Sequence, residues 1–294
     1  MKHTVLFRNI KQNESYLHIH ENKENPMKNT TQNYDEIYKK ESEMFNLAAD
    51  YYDQFRPSYP AELVQTFTHK TGITKGSELL EIGAGSGKAT QLFKDKGFHI
   101  CCIDPGKDLV DKGILNFQNY PNIKFECSRF EDYNTPDRFY DVIFAAQAFH
   151  WVPQPAGFIK CAAALKEKGF LAPFWNMYIT YDNDLDHELC EISKRYGGLA
   201  DFLNEEGCEK RISTITASIY DSGLFHKPVV FRFLWRQTYT ADEYYGFALT
   251  GNSFIQKSEE EKQKAYKDIV SLADKHGGVI DRPYLCVLYL AQKL

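Results

Sequence analysis

The strongest constraint on the fold is a glycine-rich turn that follows a short apolar run. The run Leu79–Ile82 leads directly into the segment Gly83–Lys88, which has glycine at every second position. Glycine lets a backbone turn sharply and approach a ligand closely, because no Cβ stands in the way. A helix that begins after such a turn presents free backbone N–H groups, which favour a carboxylate or a phosphate. The segment therefore predicts a ligand-binding turn between a strand and a helix.

The remainder of the chain alternates strand-like and helical patterns. Apolar runs typical of strands cover Glu78–Ile82, His99–Ile103, Ile123–Cys127, Asp141–Ala145, Gly169–Trp175, Val229–Tyr239 and Pro283–Gln292. Helical patterns cover Pro60–Lys70, Ser86–Lys96, Lys107–Gln118, Gln154–Leu165, Ala241–Phe247 and Ser258–His276. Such alternation is typical of a sheet covered by helices on both faces. We predict an α/β fold with a doubly wound, Rossmann-like sheet of seven mostly parallel strands.

Residue spacing separates the ligand classes that use a glycine turn of this kind. A dinucleotide site of the form Gly-x-Gly-x-x-Gly needs glycine at position 88, where the chain has Lys88. A P-loop needs glycine at position 82 and a hydroxyl at position 89, where the chain has Ile82 and Ala89. The pattern present is acidic-x-Gly-x-Gly-x-Gly, with Glu81 in the acidic position.

This pattern resembles motif I of the class I methyltransferases, which use S-adenosylmethionine as methyl donor. The resemblance implies that Glu81 and the turn residues Gly83, Ala84, Gly85 and Gly87 hold the methionyl end of that cofactor. It also implies a doubly wound sheet, in agreement with the strand–helix alternation. Within this reading S-adenosylmethionine is the expected cofactor and no metal is needed.

A second acidic residue follows the next predicted strand. The run Ile100–Ile103 ends at Asp104 and Pro105, one strand–helix–strand unit after the glycine turn. A carboxylate in this position can accept two hydrogen bonds from a ribose diol. Asp104 suits the ribose of NAD equally well, so it does not choose between the cofactors. The alternative role for Asp104 is an acidic helix cap ahead of Lys107.

Two later segments match further parts of the family pattern. After the third strand, Phe130 and Glu131 resemble the residues that frame the adenine ring and read its amino group, with Asp132 as the alternative acidic residue. After the fourth strand, Ala145 and Ala146 would let the backbone pass close to the sulfonium. Four motifs in the family's order therefore span about residues 77–151.

Two groups of side chains are candidates for the acceptor side of the site. His150 follows the fourth strand, where open α/β sheets place their sites, and is the candidate base for an acceptor that must lose a proton. It could equally pack over the cofactor beside Trp151. Tyr52, Arg56 and Tyr59 fit a lid that closes on the cofactor, and Arg56 could pair with a carboxylate of the cofactor or of the acceptor. The alternative for this segment is a proline-rich elbow that positions the N-terminal helix.

A narrower resemblance suggests the acceptor. The segments Tyr52–Pro60, Phe149–Trp151, Tyr239–Tyr244 and Tyr284–Lys293 resemble the subgroup that includes trans-aconitate methyltransferases. Members of that subgroup often esterify carboxyl groups of small acids, so the expected substrate is a small molecule and the expected reaction O-methylation of a carboxylic acid. The alternatives are an NAD-dependent oxidoreductase, a non-catalytic S-adenosylmethionine-binding protein, and a methyltransferase acting on RNA or protein.

The resemblance divides the chain into four expected parts. Residues 1–33 are polar and lack periodicity, which predicts a poorly ordered tail. Residues 34–176 would form the methyltransferase core with a helical lid at its N-terminus. Residues 177–226 are charged and mostly helical, which predicts a helical cap inserted over the site. Residues 227–294 would complete the core.

Composition limits the partners and the compartment. The formal net charge of -5 gives no basic surface for nucleic acid. The seven cysteines include no Cys-x-x-Cys pair, and no His/Cys/Asp cluster has metal-ligand spacing. No apolar stretch is long enough for a membrane span. We expect a cytoplasmic protein without nucleic-acid or membrane partners; the sequence does not indicate its oligomeric state.

Overall fold

A computed structural model describes residues 51, 54–197 and 203–294 of the chain. The expected tail of residues 1–33, the candidate Tyr52 and most of the helix expected over Tyr34–Phe55 lie outside the described residues. Residues 51, 54 and 55 are helical, and the chain then crosses the Pro-rich segment Arg56–Pro60 without regular structure.

The described chain follows the predicted order of strands and helices. The strands are β1 (Glu78–Ile82), β2 (His99–Asp104), β3 (Ile123–Cys127), β4 (Tyr140–Ala146), β5 (Leu165–Tyr178), β6 (Val229–Tyr239) and β7 (Ile280–Gln292). The α-helices are α1 (Ala61–Thr71), α2 (Lys107–Asn116), α3 (Ala156–Ala164), α4 (Asp184–Tyr196), α5 (Glu205–Asp221), α6 (Ala241–Ala248), α7 (Asn252–Ile255) and α8 (Glu259–Lys275).

All seven strands form one sheet in the order β3-β2-β1-β4-β5-β7-β6. The neighbours from β3 to β5 pair in parallel, and β7 runs antiparallel between β5 and β6. The predicted seven-stranded, mostly parallel sheet is confirmed. The order of strands reverses at β1, which continues to β2 on one side and β4 on the other. Ligands of open α/β sheets bind at such a point, beyond the carboxyl ends of the strands.

Each face of the sheet covers its own hydrophobic core. Alternate strand residues point to opposite faces, so Leu80 joins one core and Leu79 the other. The first core lies under α3 and α5, and the second lies under α1, whose Phe67 packs against the ring of Phe93 at 4.9 Å between centroids. A third cluster, rich in tyrosine, joins β6 and β7 to α4, α6 and α8.

One predicted helix is wrong. The segment Ser86–Lys96 contains two short 3₁₀ turns, Thr90–Leu92 and Lys94–Lys96, instead of an α-helix. The Thr90 hydroxyl donates to buried Glu81, and Phe93 is buried in the aromatic cluster of the second core. These two anchors are three residues apart, a spacing that suits the three residues per turn of a 3₁₀ helix. Tertiary contacts have therefore overridden the helical pattern.

The segment 177–226 is mostly helical where it is described. Helix α4 packs with α8 in the third cluster, and α5 packs on the first core beside β7. A buried ion pair joins α4 to the sheet, because the Arg282 guanidinium on β7 donates to the Asp186 carboxylate. The other oxygen of Asp186 accepts the Tyr181 backbone N–H at 2.8 Å. The division of the chain into four parts stays a prediction.

We expect the Asp186→Asn substitution to lower the free energy of unfolding by about 3–5 kcal/mol, because it leaves the buried Arg282 charge without its carboxylate. The matched control is Asp281→Asn, which removes the partner of exposed Arg236, bonded at 2.6 Å. An exposed pair of this kind contributes at most about 1 kcal/mol. Urea unfolding of both variants measures the difference, and equal losses would contradict a special role for the buried pair.

Candidate functional site

A cavity lies at the carboxyl ends of β1, β2, β4 and β5, where the strand order reverses. Of the predicted site residues, those that line it are Arg56, Glu81, Gly83, Ala84, Gly85, Asp104, Pro105, Phe130, Glu131 and Ala146. Tyr59 of the expected lid also lines it, and the polar residues that were not predicted as site residues are Lys88, Ser128, Arg129, Gln147, Trp151 and Tyr178. Within the described ranges, no residue of 179–226 lines the cavity, and the expected cap over the site stays a prediction.

Three predicted residues do not reach the cavity wall. Gly87 packs inward instead, where a Cβ would lie 2.3 Å from the Phe117 ring. Ala145 is fully buried in the first core. His150 lies on the 3₁₀ turn Phe149–Trp151, with its side chain exposed to solvent.

A single buried carboxylate ties the glycine turn to β2. The Gly85 N–H donates to Asp104 Oδ2 at 2.9 Å, and the Gly106 N–H donates to Asp104 Oδ1 at 2.8 Å. Burial raises the pKa of Asp104 to about 6, and the two backbone donors limit that rise. A carboxylate oxygen can accept more than one hydrogen bond, so both oxygens keep acceptor capacity for a ligand.

Glu81 is the second buried acid of the site. Its side chain ends beneath the turn, where Thr90 donates a hydrogen bond to it. Burial raises the pKa of Glu81 to about 8; the Thr90 hydrogen bond opposes this rise and the neighbouring Asp104 charge adds to it. A carboxyl group held neutral in this way gains most from a cationic ligand, which would favour its ionised form.

Glu131 supplies an open acceptor at the end of the cavity nearest β3. Its Oε1 is buried and has no hydrogen-bond partner among the described residues. Behind it, Lys160 on α3 donates to the Glu131 carbonyl at 2.9 Å and lies 5.2 Å from the centre of the Phe130 ring. A buried acceptor without a partner is costly, so this oxygen is suited to a donor carried by a ligand.

The opposite end of the cavity, at β4 and β5, is lined by donors. Arg56 Nη1 donates to the Tyr178 hydroxyl at 3.2 Å, and its Nη2 donates to the Thr250 carbonyl at 3.1 Å. The Asn176 side chain donates to the Ser58 carbonyl at 2.8 Å, which fixes the same segment to β5. The Pro-rich segment therefore forms a wall of the cavity. Sequence analysis predicted that β5 ends at Trp175, three residues early, and for this reason it did not identify Tyr178 as a site residue.

His150 lies between two tryptophans outside the cavity wall. The Trp175 indole N–H donates to His150 Nδ1 at 3.3 Å, and the Trp151 ring lies 4.7 Å away between centroids. The flanking tryptophan rings remove part of the solvation of His150 and lower its pKa, and the nearby Arg211 charge lowers it further, while one edge of the residue stays exposed. A neutral ring that accepts at Nδ1 carries its proton on Nε2. The nitrogen able to accept a proton is thus the one that faces Trp175.

Two glycines of the turn have different roles: Gly85 lines the cavity, and Gly87 packs against the protein interior. Both have positive φ, +56° at Gly85 and +90° at Gly87, but a Cβ at 85 meets no atom within 4 Å. We expect Gly85→Ala to cost about 1–2 kcal/mol of stability through its left-handed backbone. Gly87→Ala should cost about 1–3 kcal/mol more, because its methyl group overlaps Phe117 and Phe125. Thermal unfolding compares the two, and an equal cost would contradict this division.

The described residues were considered as metal ligands and as membrane spans. Across the described ranges, no group of three or more His, Cys, Asp or Glu side chains is placed to hold a metal ion. No helix in the described part of the chain is both long and apolar enough to span a membrane.

Sequence comparison finds methyltransferases. Residues 52–188 match the family model described as a methyltransferase domain. An uncharacterized methyltransferase of Schizosaccharomyces pombe is 27% identical over 127 residues, which are 43% of this chain and 49% of that protein. An uncharacterized methyltransferase of Mycobacterium tuberculosis is 30% identical over 155 residues, 52% of this chain and 60% of that protein. The chain thus spans about half to three fifths of the length of these relatives.

Solved structures share the fold. A protein assigned as a methyltransferase of an antibiotic biosynthesis pathway in Anabaena variabilis superposes with a TM-score of 0.56 at 13% identity, covering 80% of this chain and 99% of that one. A protein assigned as a type II methyltransferase of Anaeromyxobacter dehalogenans gives a TM-score of 0.55 at 17% identity, covering 80% and 97%. At these identities the likeness shows that the chain shares its fold with these proteins, and residues 52–188, just under half of the chain, match the methyltransferase domain family.

Proposed function

We propose that this protein transfers the methyl group of S-adenosylmethionine to a carboxylate of a small organic acid. The observation that carries the proposal is where the acids of the cavity wall lie. Glu81, Asp104 and Glu131 are at the ends of β1, β2 and β3, beside the cations Lys88 and Arg129, and no acid among the described residues lines the cavity at β4 and β5. At the ends of β4 and β5 the polar groups are the Arg56 cation and the neutral side chains of Gln147 and Tyr178. An anionic acceptor fits this second end.

The three acids match the polar groups of the cofactor. Glu131 Oε1 would accept from the adenine amino group, Asp104 from the ribose diol, and Glu81 would face the ammonium of the methionyl part. No atom lies within 4 Å of the position that a Cβ on Gly85 would occupy, so the turn leaves room for a ligand against its backbone. When bound, the cofactor supplies a sulfonium-activated methyl group. The residues around it only hold and orient the two reactants, a task that accounts for much of the catalysis of such displacements.

The acceptor chemistry follows from the absence of an available base at His150. A carboxylic acid with a reference pKa near 4 is already ionised at neutral pH and needs no proton removed. The accepting nitrogen of His150 is occupied by the Trp175 N–H, and the side chain lies off the cavity wall. Tyr178 accepts from Arg56, so its own hydroxyl hydrogen remains available to a carboxylate.

A second candidate function is methylation of a ring hydroxyl. The rings of Tyr59 and Trp151 line the cavity and would suit a planar acceptor. A ubiquinone biosynthesis O-methyltransferase of Aeromonas salmonicida is 28% identical over 121 residues, which are 40% of this chain and 50% of that protein. A hydroxyl acceptor requires a base, which separates the two candidates experimentally.

The first experiment is a calorimetric titration with S-adenosylmethionine, S-adenosylhomocysteine and NADH. We expect micromolar affinity for the first two, about -8 kcal/mol, and none for NADH. Asp104→Ala should weaken binding at least about tenfold, because buried ribose hydroxyls would lose their acceptor. The control Asp108→Ala removes an exposed acid four residues on and should bind as the wild type does. Preference for NADH would indicate an oxidoreductase and overturn the proposal.

Methyl transfer is then assayed with tritiated cofactor and a panel of di- and tricarboxylic acids beside phenols. We expect carboxylic acids to be methylated, and His150→Ala to retain activity within about threefold. Loss of a general base would instead cost about 10²–10⁴-fold and would favour the hydroxyl candidate. Binding without any turnover would leave a cofactor-binding protein that is not an enzyme on these acceptors.

Cofactor affinity should rise with pH below about pH 8. Glu81 and Asp104 have raised pKa values in the free protein, about 8 and about 6, so below these values they bind protons that a cationic ligand must displace. Binding therefore releases protons, and affinity strengthens by at most about tenfold per pH unit for each group. Calorimetry between pH 6 and 7.5 in two buffers of different ionisation enthalpy measures the release. Glu81→Gln is the control, which removes the Glu81 share and leaves any titration of the ligand itself.

A further inference from the structure

Gln147 has a backbone conformation that glutamine rarely adopts. Its φ is +59°, in the left-handed region, and among the described residues only Arg138 and Lys168 share a positive φ without being glycine. Those two are exposed and do not line the cavity, whereas Gln147 lies on the cavity wall at the end of β4. A strained residue persists only where its surroundings over-determine it, and such residues cluster at functional sites.

Two hydrogen bonds to β5 hold Gln147 in this conformation. Its backbone N–H donates to the Phe174 carbonyl at 3.0 Å, and its side-chain Nε2 donates to the Asn176 carbonyl at 3.1 Å. Asn176 is itself almost fully buried and fixed, because the Trp235 indole N–H donates to its Oδ1 at 3.1 Å. The carboxamide of Gln147 is therefore held rigidly to the strand that also carries Tyr178.

The same carboxamide keeps unused hydrogen-bonding groups. Of its two Nε2 hydrogens, one is taken by Asn176, and the other makes no hydrogen bond to the described residues; neither does Oε1. The neighbours Ala146 and Ala148 end at Cβ, so Gln147 is the one long polar side chain of this short stretch of the wall. Its free donor lies at the same end of the cavity as the Tyr178 hydroxyl and Arg56.

We propose that Gln147 is the specificity-determining residue for the acceptor, which rests on the function proposed above. Its second Nε2 hydrogen donates to one oxygen of the acceptor carboxylate while the other oxygen is methylated. The left-handed backbone and the bond to Asn176 fix the direction of that donor. A carboxamide held in this way directs an N–H donor toward an ionised carboxylate.

Three substitutions at this position separate charge, donor and strain. Gln147→Glu keeps the shape but replaces the donor with a negative charge. Gln147→Asn keeps the amide and tolerates the left-handed region better than most residues. Gln147→Gly removes the side chain and relieves the strain. The control Gln118→Glu adds the same charge at an exposed position outside the cavity.

The readouts are kcat/KM for the carboxylic acid methylated best by the wild type, cofactor affinity by calorimetry, and the melting temperature. We expect Gln147→Glu to lower kcat/KM on the order of a hundredfold, with cofactor affinity within about twofold, since a carboxylate would repel the acceptor. Gln147→Asn should recover most of that loss. Gln147→Gly should melt no lower than the wild type and still lose about tenfold or more in kcat/KM. The control should match the wild type in all three readouts.

The results distinguish failure of the proposed function from failure of the role proposed for Gln147. If the wild type binds the cofactor but methylates no carboxylic acid in the panel, the proposed function fails and this inference fails with it. If the wild type methylates an acid and Gln147→Glu does so within about threefold, only the role of Gln147 is overturned. A parallel loss of cofactor affinity in Gln147→Glu also overturns it, because the residue would then serve the cofactor.

Discussion

The site depends on one buried carboxylate that joins two turns. Asp104 accepts the backbone N–H of Gly85 and of Gly106, so the turn after β1 and the turn after β2 have one shared anchor. Each of these turns forms part of the cavity wall. They lie side by side because they follow two neighbouring parallel strands, β1 and β2. The raised pKa of Asp104 shows that burial opposes this arrangement even though two backbone donors support it.

The end of the cavity at β4 and β5, the proposed acceptor end, is built differently, by contacts between residues that are distant in sequence. Arg56 reaches Thr250 across 194 positions, and Asn176 reaches Ser58 across 118. The cofactor end relies on short local segments that follow single strands.

The same difference decides what sequence analysis could predict. Every strand was predicted to within four residues of both its observed ends, because apolar periodicity reflects burial within the strand itself. Glu81, Gly85 and Asp104 were found because their motif is local, and each lies on the cavity wall. Gln147 and Tyr178 were missed, since a left-handed glutamine and the true end of β5 depend on partners elsewhere in the chain. Gly87 matches the glycine motif, but in the structure it packs against Phe117 and does not line the cavity.

The two 3₁₀ turns after the glycine segment affect the electrostatics of the site. A full α-helix beginning there would direct about half a positive charge at the cavity, which would suit phosphates and oppose a sulfonium. The short turns of Thr90–Leu92 and Lys94–Lys96 align too few peptide dipoles to produce such a field. The potential around the turn is then set mainly by side chains, among them the Asp104 carboxylate and the Lys88 cation. A glycine turn without an α-helix behind it offers a nucleotide phosphate a weaker field than the turns of dinucleotide sites and P-loops do, and this suits a cationic ligand better.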